Sequence, residues 1–167
     1  MPPRIYWVKL DEAPGGVAIT QRPRAVPYLD EDVAYWKREG LDIVASLLER
    51  EEAASIGLAT QGDVMRTAGL EFVSLPVTDH GLPDTLAAYD AVASMLADHV
   101  REGRRIACHC FAGLGRSPTL AAGVLIRLGL DADEVIARLS EARKVPVPET
   151  QPQFDWIHDY ATFVRRS

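Results

Sequence analysis

The spacing of apolar and polar positions changes repeatedly along the chain. Residues 5–8 and 16–20 are short apolar runs on either side of Pro14-Gly15, which predicts two early strands joined as a hairpin. Asp30 reads as the cap of a short helix ending near Gly40. Residues 41–48 are almost continuously apolar and predict a buried strand entering a loop. Two short helical patterns follow, 49–56 and 63–68, each closed by a glycine, Gly57 and Gly69. Residues 71–77 predict a further strand, ending at the turn-rich Thr78-Asp79-His80-Gly81. From 84 to 101, Leu86, Tyr89, Val92, Leu96 and Val100 recur at intervals of three and four. That is one face of an amphipathic helix, with Asp84 as its cap and Gly103 as its stop. Residues 106–110 predict a strand. Ser117-Pro118 then reads as a helix start, with Ser as cap and Pro at the first helical position. The segment 119–128 is apolar nearly all round, so its helix should be central. Helices are predicted over 131–143 and 149–164, and Trp156, Tyr160 and Phe163 form a core-facing stripe on the last. Strands alternating with helices, with no repeat or linker, predict one α/β domain over residues 1–167: a central, mainly parallel sheet flanked by helices.

Composition narrows the class. The 167 residues are 47% apolar and 25% charged, which suits a soluble domain. A formal net charge of −6 argues against a general nucleic-acid binder. The longest apolar run, 120–126, is far short of a membrane span, and neither end shows a signal peptide or lipidation motif. Cys108 and Cys110 are two apart on one short stretch and poorly placed to bridge each other, which excludes a disulfide scaffold. A reducing, cytoplasmic setting is expected. Two cysteines cannot make a structural zinc site, and His80, His99 and His158 lack metal-ligand spacing, so no metal or cofactor is expected.

The segment that carries chemistry is His109-Cys110-Phe111-Ala112-Gly113-Leu114-Gly115-Arg116-Ser117. It joins a predicted strand to a predicted helix N-terminus, where free N–H groups and the helix dipole favour an anion. Gly113 and Gly115 let the loop curl, so that the amides of residues 111–116 form a nest for an oxyanion. Arg116 adds a planar fork able to hold two phosphate oxygens. A cysteine at the base of such a cradle is favoured as the thiolate, the form that attacks phosphorus. Ser117 can donate a hydrogen bond to the sulfur and ease its departure. The plain alternative is a buried cysteine before a Gly-rich turn.

This string resembles the active-site signature of the cysteine-based protein tyrosine phosphatase superfamily, and it is closest to the small dual-specificity branch. The resemblance covers most of residues 41–164; the first forty match only loosely. It implies a phosphocysteine at Cys110, clamping by Arg116, and a general acid on an upstream loop. Asp79 lies 31 positions before Cys110, at a strand end in a loop bracketed by prolines and a glycine, where a hinged lid would sit. A carboxyl group there can protonate the leaving oxygen and afterwards activate water. The rival reading is a turn-forming Asp, and Asp84 is the rival residue. By the same resemblance Gln153 places the hydrolytic water; otherwise it is a polar residue in a helix's first turn. His109 either orients the loop or is a satisfied core histidine. The family often has Arg-Pro where this chain reads Arg143-Lys144-Val145-Pro146, which leaves an anion-binding role there without support.

Cys108 reads as packing rather than a redox partner. Arg22-Pro23-Arg24 reads as a solvated loop, with attraction of an anionic substrate as the alternative. The expected function is hydrolysis of a phosphorylated protein or another phosphomonoester, with phosphate or sulfate able to occupy the loop. No nucleic acid or membrane partner is expected. A rhodanese-like sulfurtransferase and a phosphate-binding module without turnover are the competing readings.

Overall fold

A computed structural model describes all residues from Met1 to Ser167. Alternation along the strands decides which helices lie on which side of the sheet. Five strands, β1 (Ile5–Trp7), β2 (Gly16–Thr20), β3 (Ile43–Ser46), β4 (Glu71–Ser74) and β5 (Arg105–His109), form one sheet in the order β1-β2-β5-β3-β4. Only the β1–β2 hairpin is antiparallel. The other pairings, β2 with β5, β5 with β3 and β3 with β4, are parallel. Chains of this kind bind ligands at the carboxyl ends of parallel strands.

Side chains point to opposite faces at successive positions. Val17, Ile19, Ile43, Ala45, Ile106 and Cys108 pack on one face in a 30-residue core. That core is built with α4 (Leu86–Arg101), α5 (Arg116–Arg127), α6 (Ala132–Arg143) and α7 (Gln151–Arg165). Ala18, Val44 and Ala107 point the other way, into a 12-residue core. Its other members come largely from α1 (Leu29–Arg38), α2 (Arg50–Ser55), α3 (Gln61–Thr67) and the loops beside them. Helix α5 is central: every residue from Arg116 to Ile126 is buried. Each large apolar side chain buried there contributes about 1.5–3 kcal/mol. Gly123 is where α4 comes closest; the Tyr89 ring lies over it, and the Tyr89 hydroxyl donates to the Thr119 carbonyl at 2.6 Å.

Several boundaries differ from the sequence expectation. Thr85, not Asp84, caps α4, accepting from the Ala88 amide at 3.0 Å; Asp84 is exposed. Leu86 is also exposed, and the buried stripe shifts to Tyr89, Ala93, Leu96, Ala97 and Val100. Helix α1 follows Tyr28 rather than being capped by Asp30. Asp32 of its first turn is fully buried against Arg24 instead. Helix α5 starts at Arg116 with Gly115 at its cap, so Ser117 is not the cap. On α7, Thr150 caps the helix and Tyr160 is buried edge-on to Tyr89, while Phe163 stays partly exposed.

Candidate active site

The C-terminal ends of parallel strands deliver the chemical groups to one rim. Strand β5 runs into Cys110, β4 leads to Asp79, and β3 leads into α2, which carries Glu52. Asp79, His80, Cys110, Phe111, Ala112, Leu114, Gly115, Arg116 and Glu149 line one small cavity of about 160 Å³. A larger groove of about 600 Å³ lies by α2, α3 and β4 but holds no cysteine, so size does not locate the chemistry.

Residues 111–115 curl between β5 and α5. Gly113 has φ 76°, a left-handed conformation that side chains resist. Gly115 leaves room for two side chains: a Cβ there would come within 2.7 Å of Glu149 Oε1 and 2.9 Å of Gln153 Oε1, so both would have to shift. The amides of Phe111, Ala112, Gly113, Leu114 and Gly115 donate to no protein acceptor. The Phe111 carbonyl accepts from the Arg22 amide at 3.3 Å. Arg143, 9% exposed, grips the loop from outside: its Nε donates to the Gly113 carbonyl at 3.0 Å and its Nη2 to the Ala112 carbonyl at 3.3 Å.

Cys110 is 3% exposed, and its Sγ lies 3.2 Å from Ser117 Oγ. Ser117, one residue into α5, therefore faces the thiol instead of closing the helix end. Cys108 points into the core beneath, where burial and the neighbouring Cys110 push its thiol up. Both thiols are free.

Arg116 is 2% exposed and almost fully partnered. Nη1 donates to Glu52 Oε1 at 2.7 Å and to the Val77 carbonyl at 2.9 Å; Nη2 donates to Glu52 Oε2 at 2.9 Å. Asp79 Oδ1 lies 3.3 Å from Nη2. Arg116 Nε makes no protein hydrogen bond. Burial is the largest influence and opposes the Arg116 charge, but the hydrogen bonds it donates to Glu52, together with the negative charges of Cys110, Glu52 and Asp79, hold the guanidinium above its ordinary value. The same hydrogen bonds hold Glu52 below the usual carboxylate range despite its partial burial.

His109 points to the opposite face of the sheet from Cys110. Its Nε2 lies 2.9 Å from Gln61 Oε1 and its Nδ1 3.2 Å from the Cys110 carbonyl oxygen. Gln61 also reaches the Ser46 hydroxyl at 3.2 Å. Burial pushes the imidazole down to about 4, so it is neutral at physiological pH. His109 thus lies between the Cys110 carbonyl and α3, and as a neutral ring it donates to one of these two oxygens.

Asp79 is over half exposed, and its Oδ1 accepts the His80 amide at 3.0 Å. His80 has φ 61° and reaches back with Nδ1 to Glu149 Oε1 at 3.1 Å. Asp79, His80 and Glu149 each offer a ligand atom, all within 4.8 Å of one another, so this trio could hold a metal ion. Sequence spacing gave no hint of it, because Glu149 arrives from α7's entry. Gln153 is fully buried and lines no part of the cavity. Its Oε1 accepts the Thr150 amide at 3.3 Å and its Nε2 donates to the Gly81 carbonyl at 3.2 Å. It positions the Asp79 loop against α7.

Glu52, Gln61 and Arg143 are the contributors that motif reading passed over. Glu52 had one available signal, an acidic residue in a short helix just beyond a buried strand. In the sequence Arg143 stands only as half of a missing Arg-Pro pair; its partners are loop carbonyls, not an anion.

A family model described as "Polymorphic toxin system, DSP-PTPase phosphatase" matches residues 18–130, more than half of the chain. The chain belongs to this phosphatase family. A curated relative, cyclin-dependent kinase inhibitor 3 of Rattus norvegicus, is 25% identical over 134 residues, covering 79% of this chain and 63% of the relative. Protein tyrosine phosphatase PRL-1 of Leishmania major is 32% identical over 106 residues, covering 58% of this chain and 59% of that one. The chain thus spans less than two thirds of the length of either. Among solved structures, kinase associated phosphatase with its catalytic-site cysteine replaced by serine superposes with a TM-score of 0.89. That match is 20% identical and covers 100% of this chain and 98% of the other, so it shows the shared α/β phosphatase fold.

Proposed function

We propose that the protein hydrolyses phosphomonoesters on proteins through a phosphocysteine at Cys110. The observation that carries this reading is the juxtaposition of five unpartnered loop amides with a buried thiol and a buried, pre-positioned guanidinium. Such a ring is complementary to a transferring phosphoryl group, whose three equatorial oxygens gather charge in the transition state. Arg116 is rigid because Glu52 and two carbonyls occupy Nη1 and Nη2, and its open Nε is left for a phosphate oxygen.

In the first step the Cys110 thiolate forms the S–P bond as the P–O ester bond breaks. The Asp79 carboxyl gives its proton to the leaving oxygen. For this Asp79 must leave Arg116 Nη2, its partner at 3.3 Å, and turn to the ester. In the second step water attacks phosphorus, Asp79 takes its proton, and the S–P bond breaks with its electrons returning to sulfur. The Ser117 hydroxyl, 3.2 Å from Sγ, donates to the departing thiolate. Gln153, with both ends of its amide engaged, acts on the water only through the loop it holds. The chemistry needs a reduced Cys110, which fits a cytoplasmic setting. No helix is long and apolar enough to cross a membrane. No observation favours sulfur transfer.

The test is turnover of a small aryl phosphate in the presence of a chelator. Wild type should be active, Cys110→Ser inactive, and Asp79→Asn slowed most for esters with poor leaving groups. An active Cys110→Ser protein would overturn the mechanism.

A further inference from the structure

The carboxyl end of the fourth parallel strand, β2, also reaches the rim, and it brings Arg22. The guanidinium of Arg22 stacks over the Phe111 ring, 4.3 Å from its centre. Its Nε is buried and has no hydrogen-bond partner. No carboxylate lies within ion-pair distance of it. That sets Arg22 apart from other arginines drawn into this fold. Arg24 pairs with Asp32, Arg116 with Glu52, Arg127 with Asp90 and Arg138 with Glu12, while Arg143 caps loop carbonyls. A buried donor left without a partner costs about 1–3 kcal/mol, and here it means that no protein acceptor competes with a ligand for the Arg22 guanidinium.

The surroundings have the matching charge. Arg4, Gln21, Arg22, Arg24, Phe111 and Ala112, with the three residues before Arg4, line a groove of about 390 Å³. None of its nine lining residues is acidic, although the chain carries 24 acidic residues and a net charge of −6. Asp32 already neutralises Arg24, and Arg4 has no carboxylate partner and sits 6.0 Å from the Tyr6 ring centre. Two uncompensated guanidiniums therefore share one concave surface. That surface is continuous with the catalytic cavity, because Phe111 and Ala112 line both. Phe111, 43% exposed, stands between them as an apolar wall.

We propose that Arg22 and Arg4 form a second anion subsite beside the phosphate loop, which selects phosphopeptides carrying another negatively charged group next to the phosphorylated residue. Stacking on Phe111 holds the Arg22 fork flat, so a carboxylate or phosphate can engage it at little entropic cost. The overall charge of −6 disfavours approach to an anionic lipid surface, which is why a peptide is the occupant argued for. The proposal rests on the phosphatase reading above.

Three substrates separate the possibilities: a small aryl phosphate, a phosphopeptide with neutral flanks, and the same peptide with a second phosphate or an acidic neighbour. Wild type should favour the acidic peptide by about tenfold in kcat/KM, through KM, because a charge-assisted hydrogen bond is lost when the second group is absent. Raising ionic strength should shrink that preference. Arg22→Gln should erase it and Arg4→Gln should reduce it. If Arg22→Gln fails to fold, the salt series and Arg4→Gln carry the test. The proposal is overturned if wild type shows no preference, or if Arg22→Gln slows both peptides equally. It is also overturned if Arg22→Gln affects only turnover of a phosphoinositide in vesicles. Failure of wild type on the aryl phosphate itself would instead remove the phosphatase reading.

Discussion

Glu52 and Arg116 meet in a two-pronged ion pair, 2.7 Å between Nη1 and Oε1 and 2.9 Å between Nη2 and Oε2, which joins α2 to the first residue of α5. It presents the guanidinium to the loop in one orientation, with only Nε unpartnered. Glu52→Gln keeps the shape but loses the charge and one acceptor oxygen. The cost in stability should be about 1–3 kcal/mol, below that of a fully buried pair, since Glu52 is 21% exposed. Misplacement of the fork should lower kcat/KM for an aryl phosphate by about 10². Thermal unfolding and steady-state kinetics on the same protein check both, and unchanged kinetics would remove Glu52 from any positioning role.

Ser117 and Cys110 make a second prediction. Ser117→Ala removes the hydroxyl 3.2 Å from the sulfur and should slow breakdown of the phosphoenzyme by about 10–100-fold, with formation less affected. Rapid mixing should then show a burst of released alcohol followed by a slow steady rate. A variant with no burst and a wild-type rate would show that the hydroxyl does not assist departure of the sulfur.

His109 predicts how stability depends on pH. Its folded value, about 4, lies below the ordinary histidine value of 6.5. The unfolded chain therefore binds this proton more readily, and stability falls as pH drops from about 6.5 towards 4. Below that window both states are protonated and this contribution levels off. The loss should be on the order of 3 kcal/mol. Denaturant unfolding of wild type and His109→Gln across pH 7 to 4 checks it: the variant should show a shallower fall. Equal slopes would place the effect elsewhere. The Glu52–Arg116 pair adds stability that is present above the unfolded carboxylate value and lost as pH falls through the depressed folded one, so its window lies lower.

Gly123 should tolerate no larger residue. A Cβ there overlaps the Tyr89 ring and hydroxyl, which are buried and held by the Thr119 carbonyl. Gly123→Ala should destabilise by about 1–3 kcal/mol through overpacking, despite alanine's better helix propensity. Gly103→Ala, with nothing near its Cβ but φ 93°, tests backbone strain alone and should cost about 1–2 kcal/mol.

Two kinds of information can be told apart in this protein. Whatever neighbouring residues settle among themselves was legible along the chain. Short apolar runs marked the strands, the three-and-four spacing marked α4, and the string from His109 to Ser117 put a thiol, two glycines and a guanidinium at one strand-to-helix junction. Those features are local because hydrogen-bond periodicity and loop curvature act over a few residues. Cap positions were less legible: Asp84 is by type the better cap residue, yet Thr85 is the one whose side chain accepts the Ala88 amide. The tertiary structure alone decided which distant groups complete the site. Glu52 reaches Arg116 across 64 positions and Glu149 meets His80 across 69, while Arg143 reaches the loop from the end of α6. Arg22 reaches Phe111 because β2 pairs with β5 in parallel and both strands end at the same rim. No periodicity encodes such meetings. They follow from strand order and from the need of buried groups such as the Arg116 and Arg143 guanidiniums for partners, and that need is met only after the sheet has been assembled.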